Sequence, residues 1–144
     1  MHCFLSVLCL ALSATLLSSL PLNGQLAGTL SRDDLLVADA AGAHVTVLVA
    51  PEAGKWEKRA ASDLVKYIGL MTGAEPALAD TVAAVANALK GNVPLLIVGE
   101  EALKADASLK AALAKAAKPN PTLRADAFVV RRKGNRVLLV VSPC

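Results

Sequence analysis

His44-Val-Thr-Val-Leu-Val-Ala50 and Val93-Pro-Leu-Leu-Ile-Val98 decide how this chain folds. In the first, Val45, Val47 and Val49 alternate with Thr46 and Leu48, and Pro51 ends the run. Apolar side chains on both sides of an extended segment describe a strand buried on both faces, the kind found inside a sheet with helices packed on it. In the second, an uninterrupted apolar run is closed by Gly99, and its Pro94 stands where only the first residues of a central strand tolerate a missing N–H.

The segments around these strands carry a helical period. From Ala53 to Met71, Trp56, Ala60, Leu64 and Ile68 recur every four residues, Leu70 and Met71 extend the stripe, and Lys58, Arg59, Asp63 and Lys66 fall elsewhere. This is an amphipathic helix that Gly73 can stop in a left-handed conformation, and the stripe places Trp56 in the core. A short helix with Val82, Val85 and Leu89 in its stripe follows, with Asp80 as its expected cap and Gly91 as its end. Asp106 is expected to cap a third helix carrying Leu109, Leu113 and Ala116, which must end before Pro119 and Pro121. Ala125 to Arg131 and Arg136 to Ser142 are β-rich runs joined through Gly134-Asn135, a hairpin turn pair.

The predicted order is therefore β-α-(α)-β-α-β-β. It describes an α/β chain with an α+β tendency: a mixed sheet with helices packed on it, ending in an antiparallel hairpin. Residues 44–144 form this domain, and 28–43 lead into it as a loosely ordered segment. At 144 residues, with 55% hydrophobic and 3% aromatic content, one domain with its own core is expected, and the composition is the reverse of a disordered chain.

Residues 1–27 read as a signal peptide with its cleavage region. From Cys3 to Leu20 there is no charge, Pro or Gly, Leu dominates, and the first charged residue is Arg32. The basic n-region is missing, but frequent Ser and Thr and the absence of a following Lys/Arg cluster favour cleavage over an uncleaved membrane anchor, the alternative. The expected cut lies between Gly24 and Gly28, and the product is exported, periplasmic or extracellular, with no membrane association after cleavage. Cys3 and Cys9 leave with the signal, so Cys144 has no intramolecular partner.

Several activities are excluded by inventory. A formal net charge of +3 argues against nucleic acid as partner. Two His, one at position 2, and a single Cys beyond residue 9 build no His/Cys metal site. No Gly-rich phosphate-binding loop occurs, so no nucleotide cofactor is expected at Gly99.

The remaining chemistry-bearing residues each have a plainer reading. Glu100 and Glu101 follow a strand but are adjacent, so they point apart and read as an acidic first helical turn. Arg131, Arg132, Lys133 and Arg136 are a charged hairpin tip that discourages edge pairing. His44 opens a strand without a ligand-spaced partner, and Ser62 sits mid-helix, far from any strained elbow. Trp56 and Tyr67 are the only aromatics of sugar-stacking type. No catalytic, cofactor-binding or metal-binding residue is assigned.

The succession of short motifs does resemble a known family. Ala60, Ala61 and Leu64 in the helix, then Thr72-Gly73-Ala74 and Pro76 at its exit, match a pattern found after the first strand of that family. Leu95, Leu96 and Ile97 leading to Val98-Gly99, and Asp126 shortly before Phe128, match its second strand and hairpin. Over about 100 residues the chain resembles the non-catalytic N-terminal domain of α-glucuronidases, itself similar to the accessory domain of β-N-acetylhexosaminidases.

The resemblance implies a structural role beside a glycosidase barrel, in cis or in trans, within hemicellulose side-chain degradation. In the family the last strand continues into a long helix that packs on the sheet, and the barrel with the catalytic carboxylates follows. This sequence reaches only Ser142-Pro143-Cys144, so it is expected to be a truncated or separately encoded N-terminal piece. It is not an enzyme by itself, because glycoside hydrolysis needs two carboxyls held across the scissile bond. Such a piece is expected to leave apolar sheet surface uncovered, and so to self-associate or bind a partner. The alternative is a free-standing secreted module that binds a polysaccharide or a protein.

Overall fold

Val47, Leu48 and Val49 are fully buried, and a computed structural model shows why: the strand that holds them has a parallel neighbour on each side. The structure describes residues 34–39, 41–117 and 127–141. The signal and its cleavage region, Pro119, Pro121, Asp126 and Ser142–Cys144 lie outside the described residues. Eleven elements follow in chain order: β1 (Ala38–Asp39), β2 (Gly42–Ala43), β3 (Thr46–Val49), α1 (Lys55–Thr72), β4 (Ala77–Ala79), α2 (Val82–Lys90), β5 (Leu95–Val98), α3 (Glu100–Ala105), α4 (Leu109–Ala116), β6 (Phe128–Lys133) and β7 (Arg136–Val141).

Five strands form one sheet in the order β4-β3-β5-β7-β6. β4, β3, β5 and β7 are mutually parallel, and β6 runs antiparallel to β7 at the edge. The mixed sheet with its closing antiparallel hairpin is the architecture expected from the sequence. Gly134 takes φ +61°, the only positive φ in the two-residue connection, which is what a turn with glycine in its first central position requires.

Helices cover the two faces unequally. Val85 of α2, Ala102 of α3, and Leu109 and Leu113 of α4 pack on Leu48, Leu95, Ile97 and Leu138. On the opposite face α1 is the only helix among the described residues, with Ala61 and Ile68 on Val47, Val49, Leu96 and Val98. This helix lies over β3, β4 and β5. It ends as expected at Gly73, whose φ of +76° lets its N–H return 2.8 Å to the Gly69 carbonyl. None of the helices among the described residues is long and apolar enough to cross a membrane.

Four expectations need correction. β4 is an additional edge strand, formed by Ala77-Leu78-Ala79, too short and too poor in β-branched residues to register as a periodic run. α2 is capped by Thr81, whose Oγ1 accepts the Ala84 N–H at 3.3 Å, and not by Asp80; Val82, in its first turn, is exposed. The third helix of the sequence, α4, carries Leu109, Leu113 and Ala116 as expected but is not capped by Asp106; Asp106 ends the separate α3, and its carboxylate accepts the Ser108 N–H and Oγ–H in the turn before α4. The described part of the lead-in segment is a β1–β2 ribbon with Leu35 and Val37 packed on the α1-side core.

Candidate functional site

Residues on β6 and β7 alternate between the two faces, and the register fixes which go where. Leu138 and Val140 point into the core under α3 and α4. Val137, Leu139 and Val141 point to the α1 side, opposite Arg132, Val130 and Phe128 of β6. Because α1 stops at β5, nothing among the described residues covers this end of the sheet. Phe128, Val130 and Val141 are 67%, 57% and 64% exposed.

The flank of α1 turns this bare face into a trough of about 870 Å³. Its wall is Trp56, Ala60 and Leu64, and its floor is Leu139, Val141, Phe128 and Val130. Trp56 is 78% exposed, which corrects its placement in the core. On a 3.6-residue period Ala61, Val65 and Ile68 face the sheet, and Trp56 falls on the neighbouring arc with Ala60 and Leu64. The four-residue spacing predicts a single stripe, which the structure divides between a buried arc and an open one.

Two carboxylates stand at the head of the trough, where the parallel strands end. Glu57 reaches from α1 across Gly99, and Glu100 begins α3. They belong to different elements, and Glu101 is not their partner: it is drawn to Lys104 at 2.8 Å. Those contacts hold the Lys104 ammonium above its ordinary pKa, through the hydrogen bond and charge of Glu101 first and of Glu100 second. A trough of this size, mostly apolar with a few polar groups at one end, has the character of a binding surface.

The other candidates are occupied structurally. The basic cluster is dispersed into separate ties: Arg131 Nη1 donates to Ser108 Oγ at 2.7 Å and to Asp106 at 3.2 Å, Lys133 to the Ala105 carbonyl, Arg132 to the Gly134 carbonyl and Arg136 to the Leu89 carbonyl. Four cations tied to five different acceptors do not converge on one external anion. Ser62 donates to the Lys58 carbonyl one turn back.

His44 Nε2 lies 2.9 Å from Asp39 Oδ1, a pairing the sequence hides because the β1–β2 ribbon creates it. Asp39 is held below the ordinary carboxylate range, first by the His44 imidazole beside it and then by the Ala41 N–H. No group of three or more His, Cys, Asp or Glu able to hold a metal ion occurs among the described residues. Compared with protein families, curated proteins and solved structures, the chain matches none.

Proposed function

We propose that this chain is an exported, non-catalytic accessory domain that works with a glycoside hydrolase of α-glucuronidase type, in the removal of hemicellulose side chains. It acts as the N-terminal part of such an enzyme or as a separately encoded piece, and packs on the catalytic barrel. The observation that carries this reading is the uncovered α1-side face of β7 and β6. A domain that functions alone covers such a surface, whereas one that docks on a larger body keeps it. The motif succession from Ala60 to Phe128 supports the choice of family.

The test is the intact mass of the native product in the producing cell, detected with an antibody to residues 44–141, together with the coding DNA read past codon 144. A product far heavier than 14.8 kDa, with a glycosidase barrel behind this domain or bound to it, is the expected result. A product lighter than 14.8 kDa by the signal alone, and unassociated with any glycosidase, overturns it.

One observation favours a second reading, a secreted carbohydrate-binding module. Trp56, the only tryptophan in the chain, stands exposed in the trough beside two carboxylates that can accept sugar hydroxyls. Titration with xylan or chitin fragments while following Trp56 fluorescence checks it, and a flat response removes this reading while leaving the first intact.

A further inference from the structure

We infer that, in a chain with no barrel docked on it, the uncovered face is the interface of a symmetric dimer, each copy of the chain covering the other. The inference shares with the accessory-domain reading the premise that protein covers this face, and it names the partner from three features of the surface. The first is area. Trp56, Ala60, Leu64, Tyr67 and Met71 follow one another at four-, four-, three- and four-residue steps, so the apolar flank of α1 runs the length of the helix. Trp56, Tyr67, Met71, Phe128, Val130 and Val141 are each 57–78% exposed. The three aromatics alone offer on the order of 400 Å², taking about 150–250 Å² for each whole side chain, and Met71, Val130 and Val141 add to that. The total is at or above the roughly 300–600 Å² of the largest patch on a typical monomer and approaches one partner's share of a standard interface, about 800 Å².

The second feature is shape. The same surface carries a ridge and a hollow side by side: α1 stands above the sheet, and the trough lies next to it. A two-fold axis along the strands sets each α1 into the trough of the other copy, so every contact is made twice, as an isologous interface demands. The third is charge. That axis keeps like ends together, so Lys55, at the start of α1, comes to the head of the partner's trough where Glu57 and Glu100 stand; Arg59 is held by Asp63 at 2.8 Å on its own helix, and Glu100 lies 3.7 Å from Lys104, so Lys55 is the cation that meets this end. A rotation across the strands would instead set ridge on ridge.

Sedimentation velocity on the exported chain, purified after signal removal, tests this over a concentration series reaching on the order of 100 µM. The expected result is a reversible monomer–dimer equilibrium that Val130→Glu weakens by roughly 100-fold or more, as a charge buried at an interface centre should. Glu100→Lys weakens it about tenfold, and adding Lys55→Glu restores most of the loss. Far-UV circular dichroism establishes that each variant is folded; if Val130→Glu is not, the exposed Glu100 and Lys55 pair decides.

A wild-type chain monomeric throughout, or an association indifferent to all these changes, overturns the inference. Capture of a monomeric chain by a glycosidase barrel, lost in Val130→Glu, overturns the dimer and keeps the accessory role. A dimer that captures no barrel supports the dimer and counts against the accessory role.

Discussion

The Glu57 carboxylate fills the space in which a side chain on Gly99 would begin: a β-carbon built on Gly99 would run into Glu57 Oε1. Gly99 also takes φ +73° between β5 and α3, with its N–H on the Leu139 carbonyl at 2.8 Å. The sharp turn from strand to helix depends on an absent side chain, while the Glu57 carboxylate, the far end of a flexible side chain, can move aside. Gly99→Ala is expected to cost about 1–3 kcal/mol through the left-handed backbone. Adding Glu57→Ala leaves that backbone cost, so the double variant should recover little of the loss. Chemical denaturation of the two variants checks this, and a large recovery would place the cost in the contact.

The cap of α2 separates two neighbouring residues. Thr81 Oγ1 satisfies the Ala84 N–H, and Asp80 precedes the cap. Thr81→Ala should therefore lower stability by about 0.5–1 kcal/mol, the lower part of the usual range because the bond is long. Asp80→Ala should stay within about 0.5 kcal/mol. A urea midpoint for each variant decides between them.

The central strands were legible because their cause is local. A buried strand between two others needs apolar residues on both faces, and Val45–Val49 and Leu95–Val98 state that directly. The hairpin was legible because Gly134-Asn135 supplies the backbone that a two-residue turn needs. β4 was not, because three residues at a sheet edge are strand only by pairing with Thr46–Leu48. The trough was hidden for a related reason. Alternation along Arg136–Val141 tells which side chains share a face, but which face α1 covers, and how far, depends on the sheet order. Trp56 was misplaced on the same account, since a helical stripe does not reveal where its neighbour strand ends.

That asymmetry of β7 gives a direct contrast. Leu138 is fully buried under α3 and α4, and Val141, three residues on, is mostly exposed on the other face. Leu138→Ala should cost about 3 kcal/mol through lost contacts and a residual cavity. Val141→Ser should change the stability of the folded chain by less than about 0.5 kcal/mol. Thermal and urea unfolding measure both, and a large loss at Val141 in dilute solution would mean that this face is covered within a single copy.

Acid should act through two carboxylates held below their ordinary pKa. Asp106 is held there first by the Ser108 hydroxyl and further by the Ser108 N–H and Arg131; Asp39 is held by His44 and the Ala41 N–H. For a carboxylate whose folded pKa is depressed, the unfolded chain binds the proton more tightly. Its contribution to stability is complete above the unfolded value of about 3.9, and is lost as the pH falls through the lower folded value. Stability should therefore be level from about pH 7 to 5 as far as these two groups are concerned, then decline toward pH 2. Asp106→Asn, which cannot titrate, should begin lower at neutral pH and decline less steeply, so that the two curves draw together in acid. Urea unfolding at a series of pH values reads this out, and parallel acid limbs in wild type and variant would show that Asp106 is not one of the groups responsible.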